Sequence, residues 1–266
     1  MSGFLYMNKP VGPTSHDIVD RVRRLTGVKT VGHAGTLDPF ASGLLIVGVG
    51  REATREFPKL VGLDKRYRAV LHLGATSDTD DRTGRIITYE QRTMNNEQIV
   101  SRFGRDKDRS SFIVHRSLPT VNEIQTVLKK FLGKQQQIPP MYSAKKIKGK
   151  KLYELARAGL HVARSPSPVE IYALSVKNYS LLSTPYSLVL DVHCSSGTYI
   201  RALARDIGEA LGCGAYLEEL ERTSIGPFTL DEAVKMEDLN KENWEKYLQN
   251  VNDILEKISA YRVSGK

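Results

Sequence analysis

From Gly32 to Gly43 the chain reads GHAGTLDPFASG, and this stretch constrains the fold more than any other. Proline fixes its own φ and restricts the residue before it, so Pro39 narrows the backbone of Asp38 from one side. Gly32, Gly35 and Gly43 permit positive φ or the close approach of another group. The segment is therefore a loop with an unusual path that carries a single carboxylate. Two readings stand at this point: Asp38 is an ordinary Asp–Pro turn residue, or it is a reactive acid held by that path.

At 266 residues, with 40% hydrophobic and 26% charged side chains, the chain has the make-up of a globular protein with one large core or one core and an appendage. Lys plus Arg number 39 against 30 Asp plus Glu, a net charge of +9. That excess favours nucleic acid over acidic small molecules as a partner, with a merely solvated basic surface as the bland alternative. Cys194 and Cys213 form no CxxC pair and have no histidine at metal spacing, which points to a reducing compartment and away from a zinc site. The N-terminus MSGFLYMNKP lacks the apolar core of a signal peptide, and no apolar run approaches bilayer length. A cytoplasmic protein away from membranes is expected.

Thr14 and Asp17 form a capping-box pair ahead of Ile18, Val19, Val22 and Leu25, with Gly27 as the stop. Arg21, Arg23 and Arg24 occupy the other face of that helix. Leu44 to Val47 is short and apolar enough for a buried strand, and Tyr67 to Leu73 alternates as another. Residues 89–119 contain the turn-rich run RDKDRSS and read as a surface insertion. Thr120 and Glu123 then cap a second helix, closed by Gly133. In IPPMYSAKKIKGKKLYELARAG, Lys145, Lys146, Lys148, Lys150 and Lys151 crowd around Gly149 between Tyr142 and Tyr153. Basic residues interleaved with aromatics suit an RNA backbone with unstacked bases, whereas lysine runs on loops are often just solvated.

Leu188 to Cys194 alternates as a strand, broken by Ser195, Ser196 and Gly197. A helix follows with Ile200, Leu203, Ala204, Ile207 and Leu211 on one stripe, ended by Gly212. Arg201 and Arg205 lie off that stripe. Arginine in a first helical turn opposes the macrodipole, so Arg201 is expected to answer a carboxylate or phosphate, with a plain surface position as the alternative. In residues 231–266, Trp244, Leu248, Val251 and Leu255 stand at helical spacing, and the tail reads as a helix.

The chain has no GxxxxGK[ST], HExxH or GxSxG. Gly48, Gly50 and Ala53 match G-x-G-x-x-A, but a dinucleotide site needs a βαβ unit with an acid about 20 residues on, and Asp64 is too close. What remains is one acid, a tyrosine on a strand, an arginine at a helix start and a basic aromatic loop. A lone Asp can act as nucleophile or general base without metal or cofactor, and a nearby arginine favours its charged form.

In this order the pieces resemble the tRNA pseudouridine synthase B family. The matching blocks are MNKPVGPTSHDIV, VGHAGTLDPFASGLL, KRYRAVLHLGATSDTDDRTGRI, IPPMYSAKKIKGKKLYELARAG and SSGTYIRALARDIGEALGCGAYLEELERTSIGPF. The likeness runs from about Phe4 to Phe228, interrupted chiefly at 89–119. It implies an α+β fold: a mixed, mostly antiparallel sheet with flanking helices. It implies a catalytic domain over 1–230, with 138–160 as a mobile RNA-contacting loop. Residues 231–266 would be a C-terminal extension without the PUA domain of many relatives, and binding would then rely on the T-arm.

The implied activity is isomerisation of the uridine at position 55 of the TΨC loop of tRNA, with Asp38 as the catalytic aspartate. Tyr67 would stack on the target uracil and Arg201 would pair with the aspartate. Tyr199 and Leu220 would line the base pocket, and His33 would fill the space left by the extruded nucleotide. The five lysines would contact RNA. No cofactor and no metal are implied, and a monomer is expected. A tRNA-binding or folding protein that uses the same surface without chemistry is the reading of a different class.

Overall fold

The computed structural model describes residues 2–88, 119–143, 145–147, 149–157, 160, 162–180 and 186–264. The expected insertion at 89–119 lies outside them but for Pro119, as does Lys148. The chain opens with β1 (Gly3–Lys9), α1 (Ser15–Thr26), β2 (Val31–Ala34), β3 (Ser42–Val49), α2 (Arg51–Arg55), α3 (Phe57–Val61) and β4 (Lys65–Leu73). Next come β5 (Ala75–Ser77), β6 (Ile86–Thr88), α4 (Val121–Lys129), β7 (Gly133–Gln137), β8 (Lys146–Ile147), β9 (Lys150–Lys151) and α5 (Leu152–Arg157). The rest is β10 (Ser167–Ser180), β11 (Ser187–Cys194), α6 (Ile200–Leu211), β12 (Ala215–Ile225), β13 (Phe228–Thr229), β14 (Val234–Lys235) and α7 (Val251–Val263). The class is α+β, as the sequence implied, and no helix among the described residues is long and apolar enough to cross a membrane.

Two compact units are formed. The first holds Met1–Arg68, Asp191–Gly197 and Glu219–Lys266, the second Ala69–Leu190 and Thr198–Glu218, so β4, β11 and β12 contribute residues to both. In the first unit the strand order is β14-β1-β3-β12-β4-β11, with β2 on β3 and β13 on β12. The strands β1 and β3 run antiparallel from Gly3↔Val49 to Lys9↔Gly43, and β12 joins β3 in parallel at Arg222↔Gly43. Lys9, Gly43 and Arg222 thus lie in one row across three strands.

Both faces of this sheet are covered, which is why β1 and β3 read as nearly unbroken apolar runs. Phe4, Tyr6, Leu44 and Ile46 pack with Leu60, Phe228, Ile254 and Ile258. Their alternates Leu5, Met7, Leu45 and Val47 pack with Ile18, Val19, Val22 and Trp244. The first helix starts as its sequence dictates: Thr14 Oγ1 accepts from Asp17 N at 3.1 Å, Asp17 Oδ2 accepts from Thr14 N at 2.8 Å, and Gly27 closes it at φ 71°.

In the second unit β12, β4, β11, β10 and β7 lie side by side, and β10 pairs antiparallel with β7 from Ser167↔Gln137 to Ile171↔Gly133. Thr120 and Glu123 form the expected second capping box on α4. The stripe of α6 is buried as predicted, and Gly212 ends the helix at φ 76°. The dinucleotide reading has no support: β3 pairs antiparallel with β1 and β2, and the helix after Gly50 is five residues long.

The tail departs from its expected continuous helix. Residues 230–247 make short 3-10 turns around β14, and the α-helix begins only at Val251. A distant backbone pairing and a local cap stop a helix from crossing residue 249. Gln249 exchanges backbone hydrogen bonds with Phe4 at 2.8 and 2.9 Å, and Asn250 caps α7 by accepting from Asn252 N at 2.8 Å. The buried positions of α7 are Ile254 and Ile258, not Leu255.

Candidate active site

The loop ahead of β3 is pinned by side chains from three elements of the first unit. Ser15, at the first turn of α1, donates to Leu37 O at 3.0 Å and accepts from Leu37 N at 2.9 Å. Lys9, at the end of β1, donates from Nζ to Pro10 O and Pro13 O at 2.8 Å and to Pro39 O at 3.3 Å. Gly12 N also donates to Pro39 O, at 2.8 Å. From β12, Arg222 donates through Nε to Leu44 O at 2.8 Å, and through its two Nη atoms to Thr36 O at 3.2 Å and Gly35 O at 3.1 Å. Gly35 stands at φ 91° and Gly43 at φ 107°, where a side chain is strained. The peptides on both sides of Asp38 are therefore fixed, while Asp38 itself is half-buried.

Three cations of the first unit are buried, two of them bound to this loop. Lys9, Lys65 and Arg222 are 0%, 6% and 1% exposed, and each donates to backbone carbonyls. Burial lowers Lys9 to about 8, with the Asp38 charge acting in the opposite sense and Arg222 adding to the fall. Lys65 donates to Val61 O at 2.6 Å and Leu63 O at 2.5 Å, and burial lowers it to about 8 as well. Burial pushes the Tyr67 phenol up, as do the charges of Cys194 and Asp38, while Arg222 opposes this by charge and hydrogen bonding. His33 on β2 is pulled below the usual imidazole range, by burial first and then by Arg222, and its Nδ1 has no partner among the described residues. Leu220 is buried on β12, two residues before Arg222. Asp38, Tyr67, His33 and Leu220 thus all fall in the first unit, and the Arg222 charge bears on both Tyr67 and His33.

Arg201 and Tyr199 fall in the second unit. Tyr199 precedes α6, and its peptide is clamped by the Gln137 amide, which accepts from Tyr199 N at 2.8 Å and donates to Tyr199 O at 3.0 Å. Arg201 is buried, and the carboxylate it answers in its own unit is Asp81, at 3.4 Å. Arg201 also donates to Thr79 O at 3.2 Å and Tyr142 O at 2.9 Å. Asp81 is held by Thr79 Oγ1 at 2.8 Å and Thr83 N at 2.9 Å. Next to it Asp80, at φ 63°, pairs with Arg205 at 2.9 Å. Of the lysine cluster, Lys146, Lys150 and Lys151 lie on the β8–β9 hairpin that turns at Gly149, whereas Lys145 donates inward to Ser167 Oγ.

Sequence reasoning did not single out Lys9, Arg222 or Asp81. Lysine and arginine are rarely buried, so a basic residue on a strand reads as surface. A signal for Arg222 was nonetheless present, because period-2 alternation places it on the same face as Leu220. Among the described residues no group of His, Cys, Asp and Glu is placed to hold a metal ion.

Comparison with known proteins places this architecture. The sequence model of the TruB family pseudouridylate synthase N-terminal domain matches residues 23–106 and 103–200, and that of the tRNA pseudouridylate synthase B C-terminal domain matches 201–258. The chain is 42% identical over 250 residues to tRNA pseudouridine synthase B of Geotalea uraniireducens, covering 94% of this chain and 70% of that protein. It is 40% identical over 258 residues to the Chlamydia trachomatis serovar L2 protein of the same name, covering 96% and 94%. Among solved structures, a chain of a Cbf5–Nop10–Gar1 complex superposes with TM-score 0.66 at 27% identity, over 97% of this chain and 62% of that one. One from an archaeal box H/ACA sRNP Nop10–Cbf5 complex gives 0.60 at 25%, over 96% and 57%, so this chain spans about three fifths of either. Matched from residue 23 to residue 258 by both domain models, the chain belongs to the TruB family of tRNA-modifying pseudouridylate synthases.

Proposed function

We propose that this protein converts the uridine at position 55 of the tRNA T-loop to pseudouridine, with Asp38 as the reacting carboxylate. The reaction is an isomerisation: the bond from the ribose to N1 breaks, a bond to C5 forms, C5 gives up its proton and N1 gains one. It needs no redox partner and no group donor. The target base is stacked inside a folded loop, so it must first be swung out at a cost of a few kcal/mol. The Tyr67 ring is assigned to stack on the extruded uracil, Tyr199 and Leu220 to line its pocket, and His33 to occupy the gap left in the RNA. Arg201 is assigned to brace Asp38, and the β8–β9 lysines to hold phosphates.

The single observation that carries this reading is the pinning of the Asp38 loop. Ser15 and Lys9 fix the peptides of Leu37 and Pro39, which leaves the half-buried acid, whose charge reaches the Tyr67 phenol, with little freedom to wander. A fixed acid is what a near-attack geometry requires. The test is tritium release from 5-labelled uridine in unmodified tRNA. Asp38→Asn is expected to abolish turnover while RNA binding survives. Turnover within about tenfold of wild type, ~1.4 kcal/mol, overturns the nucleophilic role and favours an RNA-binding protein without chemistry.

A further inference from the structure

Arg222 binds the backbone on both sides of the loop that carries the proposed nucleophile, yet the isomerisation above assigns it no part. Its guanidinium is 1% exposed, and among the described residues it forms no ion pair. A buried cation without a counter-ion is a poor source of stability, and apolar groups of similar volume are often at least as stabilising. What an apolar side chain cannot do is donate in a planar fork. Here the three nitrogens bind Gly35 O and Thr36 O, just before Asp38, and Leu44 O, just beyond the loop. One rigid group therefore ties the entry of the loop to its exit.

The backbone is arranged to permit this. Gly43 sits opposite Arg222 in the sheet, and a Cβ there would lie 2.4 Å from Arg222 O, so only glycine allows the approach. The guanidinium also bears on the Tyr67 phenol, opposing by charge and hydrogen bonding the rise that burial causes. We propose that Arg222 is a positioning residue for the isomerisation, holding the Asp38 loop and the Tyr67 ring in one mutual arrangement without touching the RNA. The proposal rests on the assignment of Asp38 and Tyr67 made above.

The test uses the full chain with unmodified tRNA and compares Arg222→Met, Arg222→Lys and Asp38→Asn. Three quantities are read: the single-turnover rate, the RNA dissociation constant, and the His33 titration followed by NMR of labelled histidine. Misplacement by about 1 Å costs on the order of 100-fold, so Arg222→Met is expected to slow the chemical step by about that factor and Arg222→Lys by about tenfold. The dissociation constant should change by less than about twofold in both, well below the tenfold that 1.4 kcal/mol represents. His33 should titrate at higher pH in Arg222→Met and stay low in Arg222→Lys, because the charge remains there. Arg222→Met turning over within about threefold of wild type, or a rate lost only in proportion to RNA affinity, overturns the role. If Arg222→Met does not fold, Arg222→Lys decides by the same two criteria. Normal turnover by Asp38→Asn sinks the reading of the site itself, whereas an inactive Asp38→Asn beside a fast Arg222→Met sinks only the positioning role.

Discussion

Lys9 carries a consequence for pH dependence. Its folded-state value of about 8 lies below the 10.5 of an unperturbed lysine, because burial penalises the charge. The unfolded chain therefore holds this proton more tightly than the native one. The cost of burying the ammonium is fully present below about pH 8 and is relieved as pH rises towards 10.5, so Lys9 makes unfolding harder across that window. Lys65, also at about 8, adds in the same direction. Activity runs the other way, because neutral Lys9 has one fewer donor for Pro10 O, Pro13 O and Pro39 O. Denaturant midpoints and single-turnover rates at pH 7.5 and 9.5 check both signs, with Lys9→Met as reference. That variant should lose about 1–3 kcal/mol at neutral pH from its orphaned carbonyls, and it should lack the Lys9 share of the pH-linked gain. A wild-type stability that rises no more steeply than that of Lys9→Met contradicts the account. At this scale the residues alone left Asp38 open between a turn and a reactive acid, and alternation placed Tyr67 on a strand without giving it a task; the roles proposed for both came from the family resemblance. Lys9 and Arg222 were not legible, since their partners are backbone carbonyls brought together only by the β1–β3–β12 register.

Among the elements, those with local signals were read well and the one defined by distant contacts was not. The capping pairs Thr14/Asp17 and Thr120/Glu123 fix two helix starts within four residues of chain. The tail helix α7 starts instead where Gln249 meets Phe4, a contact spanning nearly the whole sequence. Its apolar face then seats Ile254 and Ile258 among Phe4, Leu60 and Phe228. Tyr261, on the same helix, donates to Asp64 Oδ2 at 2.8 Å, and the His193 ring meets the same oxygen at 2.5 Å. Burial opposes the Asp64 charge, but the hydrogen bonds from His193 and Tyr261 hold it below the ordinary carboxylate range. The acid immediately precedes β4, which carries Tyr67, so the helix is tied to a strand of the site. Ile258→Ala is expected to cost about 2–5 kcal/mol by leaving a cavity, and Tyr261→Phe about 1 kcal/mol by removing one hydrogen bond. Chemical denaturation of both variants measures this, and an Ile258→Ala midpoint equal to wild type would show that α7 contributes nothing to the core.

At the level of the whole molecule, the net charge of +9 favoured nucleic acid over acidic small molecules as a partner and left a merely solvated surface open, but it did not say where the charge acts. The lysine cluster reads from sequence as one unit, and the structure divides it. Lys145 is spent on Ser167, between the loop and β10, whereas Lys146, Lys150 and Lys151 flank the Gly149 turn of a two-stranded hairpin. The serine hydroxyl leaves the Lys145 charge intact, but tethering to β10 shortens the reach of that side chain, so it is expected to add little to the salt dependence of RNA binding. Each phosphate contact that is made steepens the plot of log affinity against log salt by about 0.7 for single strands and 0.9 for duplex. If the hairpin lysines each neutralise one phosphate, replacing Lys146, Lys150 and Lys151 by alanine should flatten that slope by about two to three. Lys145→Ala should leave the slope unchanged while loosening the segment, so that turnover falls and the electrostatics of binding do not. Filter binding to unmodified tRNA between about 50 and 200 mM salt separates the two, a range over which several phosphate contacts change affinity by orders of magnitude. An unchanged slope in the triple variant would remove the hairpin from the RNA interface and leave the excess charge to act elsewhere on the surface.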